Sequence, residues 1–162
     1  PSGDDNNLGT SESEAFLTIQ RALEMIAPED DDPVTIFLTE GTFAPSTTGE
    51  IFPIIMISNV NLIGQGEEVT ILDAEQTDTV ILIKNCISNL IAGLTITGGF
   101  GDWYTIVGGI YIENSNPQLK NISYIIMYQI NVVEFIYTIP ILFSVMSLLV
   151  RILEMFLVGG CV

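Results

Sequence analysis

Apolar residues recur along this chain with two different periods. In residues 14–26, Phe16, Ile19, Leu23 and Ile26 return every three or four positions, the spacing of one helix face. Ser13 stands where an N-cap belongs and Pro28 ends the pattern, so an amphipathic helix is predicted over 14–27. Residues 1–13 before it are rich in Gly, Asp, Asn, Ser and Thr and read as loop. From Val34 the period changes. Short apolar runs at 34–38, 51–57, 60–63, 69–72, 80–83, 90–91, 94–97, 110–112 and 119–123 predict strands. The run at 51–57 is nearly all apolar, as a strand buried on both faces would be. Glu40-Gly41 marks a turn, and Gly64, Gly66, Gly93, Gly98 and Gly99 separate several of the later runs. With no helical segments between the strands, a βαβ fold is excluded.

One stretch repeats in outline. Residues 108–117, GGIYIENSNP, join a glycine bend, an alternating strand and an Asn-rich corner. The corner has echoes: Ser58-Asn59, Ser88-Asn89 and Ser115-Asn116 stand 30 and 27 residues apart, each beside a Leu/Ile/Val run. A repeat of that length predicts a solenoid, whose units bury their apolar faces by stacking on one another. A sandwich accommodates the same short strands, but the repeated corner favours a parallel β-helix. Asn59, Asn89 and Asn116 are then expected to form a side-chain hydrogen-bond ladder at one corner, where Asn tolerates the left-handed bend.

The order of these parts resembles the right-handed parallel β-helix, or pectin-lyase-like, superfamily. GTSESEAFLTIQRALEMI resembles the entry segment of many bacterial members, in which a Gly-Thr loop and a short helix cap the solenoid. VTIFLTEGTF resembles the first strand and turn, and NLIGQGEEVTILDAEQTDTVILI and LTITGG…GGIYIENSNPQLKNIS resemble later coils. The resemblance covers residues 3–123 and implies an all-β, right-handed parallel β-helix over 34–123 with an N-terminal capping helix. It fixes no activity, because one scaffold hosts many functions.

Residues 124–162 depart from this pattern. They hold one Asn, no Asp and no Gly before Gly159, and 135–150 is free of charge. Sixteen residues fall short of the about 20 that span a bilayer, and Pro140 interrupts them. The segment reads as an apolar tail, helical or irregular, or as a membrane anchor. A third reading comes from the codons. Read from the third base of the Ile130 codon, synonymous codons up to Leu142 permit KCGGIYIYNSNP, which repeats GGIYIENSNP with one change. A frameshift between Ser123 and Ile130 that turned further coils into an apolar tail is therefore expected.

Composition narrows the partners. Twenty acidic residues face four basic ones and no histidine, for a net charge of −16. That excludes nucleic acid, which needs clustered Lys and Arg, and disfavours anionic membrane surfaces. It permits Ca²⁺ on carboxylates, and Asp73, Glu75 and Asp78, grouped after a strand, are the candidate ligands. The reading as a solvated turn between coils is favoured over that, and more strongly still for the acids at 29–32. Cys86 and Cys161 match no metal or redox spacing. The polar start at Pro1 reads as an internal or processed segment.

No catalytic residue is assigned. Lyases on the resembling scaffold use Ca²⁺-binding aspartates and a strongly basic group, and its hydrolases use paired carboxylates. Here Arg21 lies in the cap helix, Arg151 in the tail, and Lys84 and Lys120 stand apart. Trp103 and Tyr104, in an insertion before Gly108, are candidates for stacking on sugar rings or for covering the core edge. The expected function is a non-enzymatic module of a secreted or bacterial cell-surface protein, structural or bound to extracellular polysaccharide. The alternatives are a fragment of a polysaccharide lyase or glycoside hydrolase whose catalytic coils lie elsewhere, and a membrane-anchored protein.

Overall fold

The computed structural model describes residues 1–30, 32–101 and 108–125. Two units divide the chain, Pro1–Ile130 and Asn131–Val162, and the described residues all belong to the first. The tail expectations for 124–162 fall almost wholly outside the described residues.

Strands β1 (Val34–Phe37), β2 (Gly41–Phe43) and β3 (Ile54–Ile55) make the first coil. β4 (Val60–Ile63), β5 (Thr70–Asp73) and β6 (Ile81–Lys84) make the second. β7 (Leu90–Thr97) and β8 (Ile110–Glu113) make the third, and β9 (Gln118–Ile125) opens the next. Every pairing between these strands is parallel, in two sheets. One sheet stacks β1, β4, β7 and β9, with β5 and β2 beside the second half of β7. The other stacks β3, β6 and β8. The fold is the parallel β-solenoid that the repeats predicted, about three turns long.

Inward positions stack like on like. Leu62 aligns with Ile91, Leu72 with Ile96, and Ile54 with Ile81 and then Ile110. Most of these side chains are sealed from water, and each buried Leu or Ile contributes about 1.5–3 kcal/mol of transfer free energy. The 51–57 run departs from expectation. Only Ile54–Ile55 forms a strand, and Ile51 and Ile55 are exposed. Its sheet has the core on one side only, so alternate apolar residues face solvent. Residues 40–41 also differ, because Gly41 begins β2 with φ 126° rather than sitting in a turn.

The capping helix is present but shorter than its apolar period. A 3-10 turn at Glu12–Glu14 precedes α1, which runs Ile19–Met25. Thr18, not Ser13, is the N-cap, its hydroxyl accepting from the Arg21 amide at 3.1 Å. Phe16 lies before the helix. Ile19 and Ala22 are buried and Leu23 and Ile26 pack on the core, so α1 covers the apolar end of the first coil.

The glycine corner at 64–66 has a steric cause. Gly64, Gly93 and Asn121 occupy one register column. A Cβ on Gly64 would collide with the Gly93 carbonyl oxygen, and Gly93 itself has φ 65°. The coils approach here too closely for a side chain.

Candidate functional site

Strand alternation sends every second residue of the β3–β6–β8 sheet outward. Ile55, Leu82 and Tyr111 align across three coils on that outer face. Ile55 is 55% exposed, and Leu82 and Tyr111 are half-buried. Two residues further along, Lys84 aligns with Glu113. The Lys84 ammonium lies 2.9 Å from Glu113 Oε2, and the Tyr111 hydroxyl donates to that same oxygen at 3.0 Å. The strip thus carries an apolar centre with one aromatic ring and a polar border of donors and an acceptor.

Electrostatics fix the protonation of that border. The hydrogen bond from Lys84, then that from Tyr111, holds the Glu113 carboxyl below its ordinary range. The same contact with Glu113 raises the Lys84 ammonium, and Glu113 raises the Tyr111 phenol. At neutral pH the trio is carboxylate, ammonium and neutral phenol. It can accept and donate hydrogen bonds, but it offers no group poised to exchange a proton near pH 7.

A corner ladder borders the strip. Asn85 and Asn114 have φ 54° and 49°, and Asn114 Nδ2 donates to Asn85 Oδ1 at 3.2 Å. This corrects the ladder expected of Asn59, Asn89 and Asn116. The β4–β7 register offsets residues by 29 whereas Asn59 and Asn89 stand 30 apart, so Asn59 aligns with Ser88 instead. Asn59 and Ser88 share the left-handed bend, with φ 62° and 57°. Asn59 is buried and donates to Asp30 Oδ1; Asn89 is buried and donates to the Ile57 and Val60 carbonyls. Asn116 is exposed. Serines do the stacking: the Ser58 hydroxyl accepts from the Ile87 amide, and that of Ser115 from the Cys86 amide.

The structure does not gather Asp73, Glu75 and Asp78 around one point. Asp73 Oδ1 accepts from the Glu75 amide and Asp78 Oδ1 from the Thr79 amide. The Glu75 carboxylate reaches across a coil to the Ser46 amide and hydroxyl. Each carboxylate is a turn or inter-coil acceptor, and among the described residues no three acidic, Cys or His side chains form a metal-sized group. Trp103 and Tyr104 lie outside the described residues. The neck of their insertion is closed by Gly99 and Gly108, whose backbones touch, and by the Phe100 amide on the Asp78 carbonyl at 2.9 Å.

Sequence reasoning missed Glu50. It is 1% exposed, and its carboxylate accepts from the amides of Ile19 at 2.6 Å and Gln20 at 3.0 Å. Those are the first free amides of α1, so Glu50 ties the cap to the first coil. Burial pushes its carboxyl above the usual range, against the opposing effect of the amides. Asp5 works beside it, accepting from the Leu17 and Thr18 amides and the Thr18 hydroxyl. Nothing in the local pattern around Glu50 distinguishes it from a surface acid. For Tyr111, only the outward phase of its strand gave a signal.

Residues 1–70 match the model of a family described as "Protein of unknown function (DUF1565)", a pectin-lyase-like β-helix family. The match takes in the N-terminal loop, α1 and the coil up to the first residue of β5. No curated protein matches the chain, and no solved structure does.

Proposed function

We propose that this chain is a non-enzymatic β-helix module of a secreted or cell-surface protein, and that it binds a neutral glycan along the outer face of β3, β6 and β8. The observation that carries the reading is the in-register column Ile55–Leu82–Tyr111 bordered by the Lys84–Glu113–Tyr111 cluster. A sugar ring has apolar C–H faces and hydroxylated edges. An apolar strip with one aromatic ring suits the faces, and a carboxylate beside an ammonium suits the hydroxyls. Parallel coils repeat at about 4.8 Å, so the strip offers a track rather than a single pocket. The net charge of −16 repels polyanions, which favours neutral chains.

The non-enzymatic part rests on the border's chemistry. Lys84 is committed to Glu113, and Arg21 sits in the cap against Glu24 and Phe16. Affinity electrophoresis in gels containing neutral glucans, mannans or xylans tests the proposal. Retardation is expected with at least one neutral polymer, and Tyr111→Ala should abolish it while the circular dichroism spectrum stays unchanged. Retardation by none of them, or equal retardation of the variant, would overturn it.

A further inference from the structure

The cap covers the side chains of the first coil but leaves the backbone of β1 open. Val34 and Leu38 donate their amides to Asn59 and Ile63 of the next coil. Alternation then turns the amides and carbonyls of Thr35 and Phe37 the other way, and among the described residues β1 is the terminal strand of its stack. That edge borders a cleft of about 440 Å³, within the range of ligand sites. Phe16 and Ile26, half-buried, also line it, together with the buried Ile19 and Ala22. β1 is four residues long, about 13 Å at 3.3 Å per residue. Phe37 is 76% exposed at its end.

We propose that this cleft accepts an extended peptide segment of another protein, which adds a strand to β1. An unpaired edge beside an apolar wall is the geometry of β-strand addition, in which backbone bonds give affinity and alternate side chains fill the groove. Charge selects the partner's class. Glu12 lines the cleft, the acids at 29–32 immediately precede β1, and the chain carries −16 overall. The complementary segment is apolar with Lys or Arg flanks, and a second copy of this acidic chain is disfavoured.

The probe is the capped peptide KKVNLIKK, whose centre repeats β4, the strand that pairs with the other edge of β1. Residue-resolved amide exchange of the full chain is the readout. Saturating peptide should slow exchange at Thr35 and Phe37 at least tenfold, and affinity should fall as salt rises. Thr35→Pro removes an outward donor and leaves the backbone bonds of the β1–β4 ladder, while also losing the bond that the Thr35 hydroxyl accepts from Asn61, and should abolish the effect. Should that variant misfold, peptides N-methylated at Val and Leu, or at Asn and Ile, make the same test, since one of the two must lose binding. Unchanged exchange at millimolar peptide, or protection that survives both methylations, overturns the proposal. Protection that grows with protein concentration alone, together with a dimer in sedimentation, would assign the edge to a second copy and overturn the choice of partner.

Discussion

Replacing Glu50 probes how the cap is held. Its carboxylate accepts two amides at the start of α1 from a position sealed from water. Hydrogen bonds to a charged acceptor contribute about 1.5–3 kcal/mol each, and for this carboxylate the cost of burying the charge outweighs their effect on its ionisation. Glu50→Ala orphans the buried Ile19 amide and should cost about 2–4 kcal/mol. Glu50→Gln keeps one acceptor but aims an NH₂ at the other amide, and should cost about 1–3 kcal/mol. In urea, with a slope of about 2 kcal/mol/M, a 3 kcal/mol loss moves the midpoint by about 1.5 M. The pH dependence is sharper. Burial raises the folded pKa, so the native state binds more protons than the unfolded chain. The group's contribution is fully present below its unfolded pKa of about 4.3 and is lost as pH rises through the folded value. The advantage of Glu over Gln should therefore shrink between pH 4 and pH 7. Urea midpoints of both proteins across that range, followed by circular dichroism, check this. An advantage that grows with pH would mean that the helix amides outweigh burial, and would refute the reasoning.

Three further outcomes follow from the coil contacts. Gly64→Ala drives a methyl into the Gly93 carbonyl and should lower stability by roughly 1–3 kcal/mol, the cost of overpacking, read as a fall in urea midpoint. Asn114→Ala loses the Asn85 bond and puts alanine at φ 49°, costing about 1–3 kcal/mol, whereas Asn114→Gly should recover the bend's share, about 1–2 kcal/mol. The coding DNA between the codons of Ser123 and Ile130 should show a shifted frame relative to close genomic copies. Restored, that frame places another GGIY and another Asn one coil beyond Asn114, and the same frame in every copy would end the idea.

The solenoid was legible because its cause is repetitive. Apolar runs at near-constant spacing, and glycines where coils touch, are statements about every turn at once. Register was not legible: the ladder was placed at Asn59, Asn89 and Asn116 because Ser-Asn catches the eye, yet β4 and β7 pair at 29 residues and Asn89 stands at 30. A one-residue difference is invisible until strands are paired, and it moves a side chain off the bend. The cap helix was found but overextended, since Phe16 keeps helical spacing while Asp5 holds the Leu17 and Thr18 amides and Thr18 stays extended as the N-cap. Glu50 was invisible because its partners lie 30 and 31 residues away. The outer strip needed both register and strand phase before Ile55, Leu82 and Tyr111 fell into line.

The central claim is that a neutral glycan lies on the outer face of the short sheet and leaves it uncleaved. Amide chemical-shift mapping of the full chain, titrated with neutral oligosaccharides while the sugar is followed by mass spectrometry, tests both halves together. The account predicts shifts centred on Leu82, Tyr111 and Glu113, with Ile55 at their margin and the sugar mass unchanged. Shifts centred elsewhere, or shortened products accumulating during the titration, would contradict it.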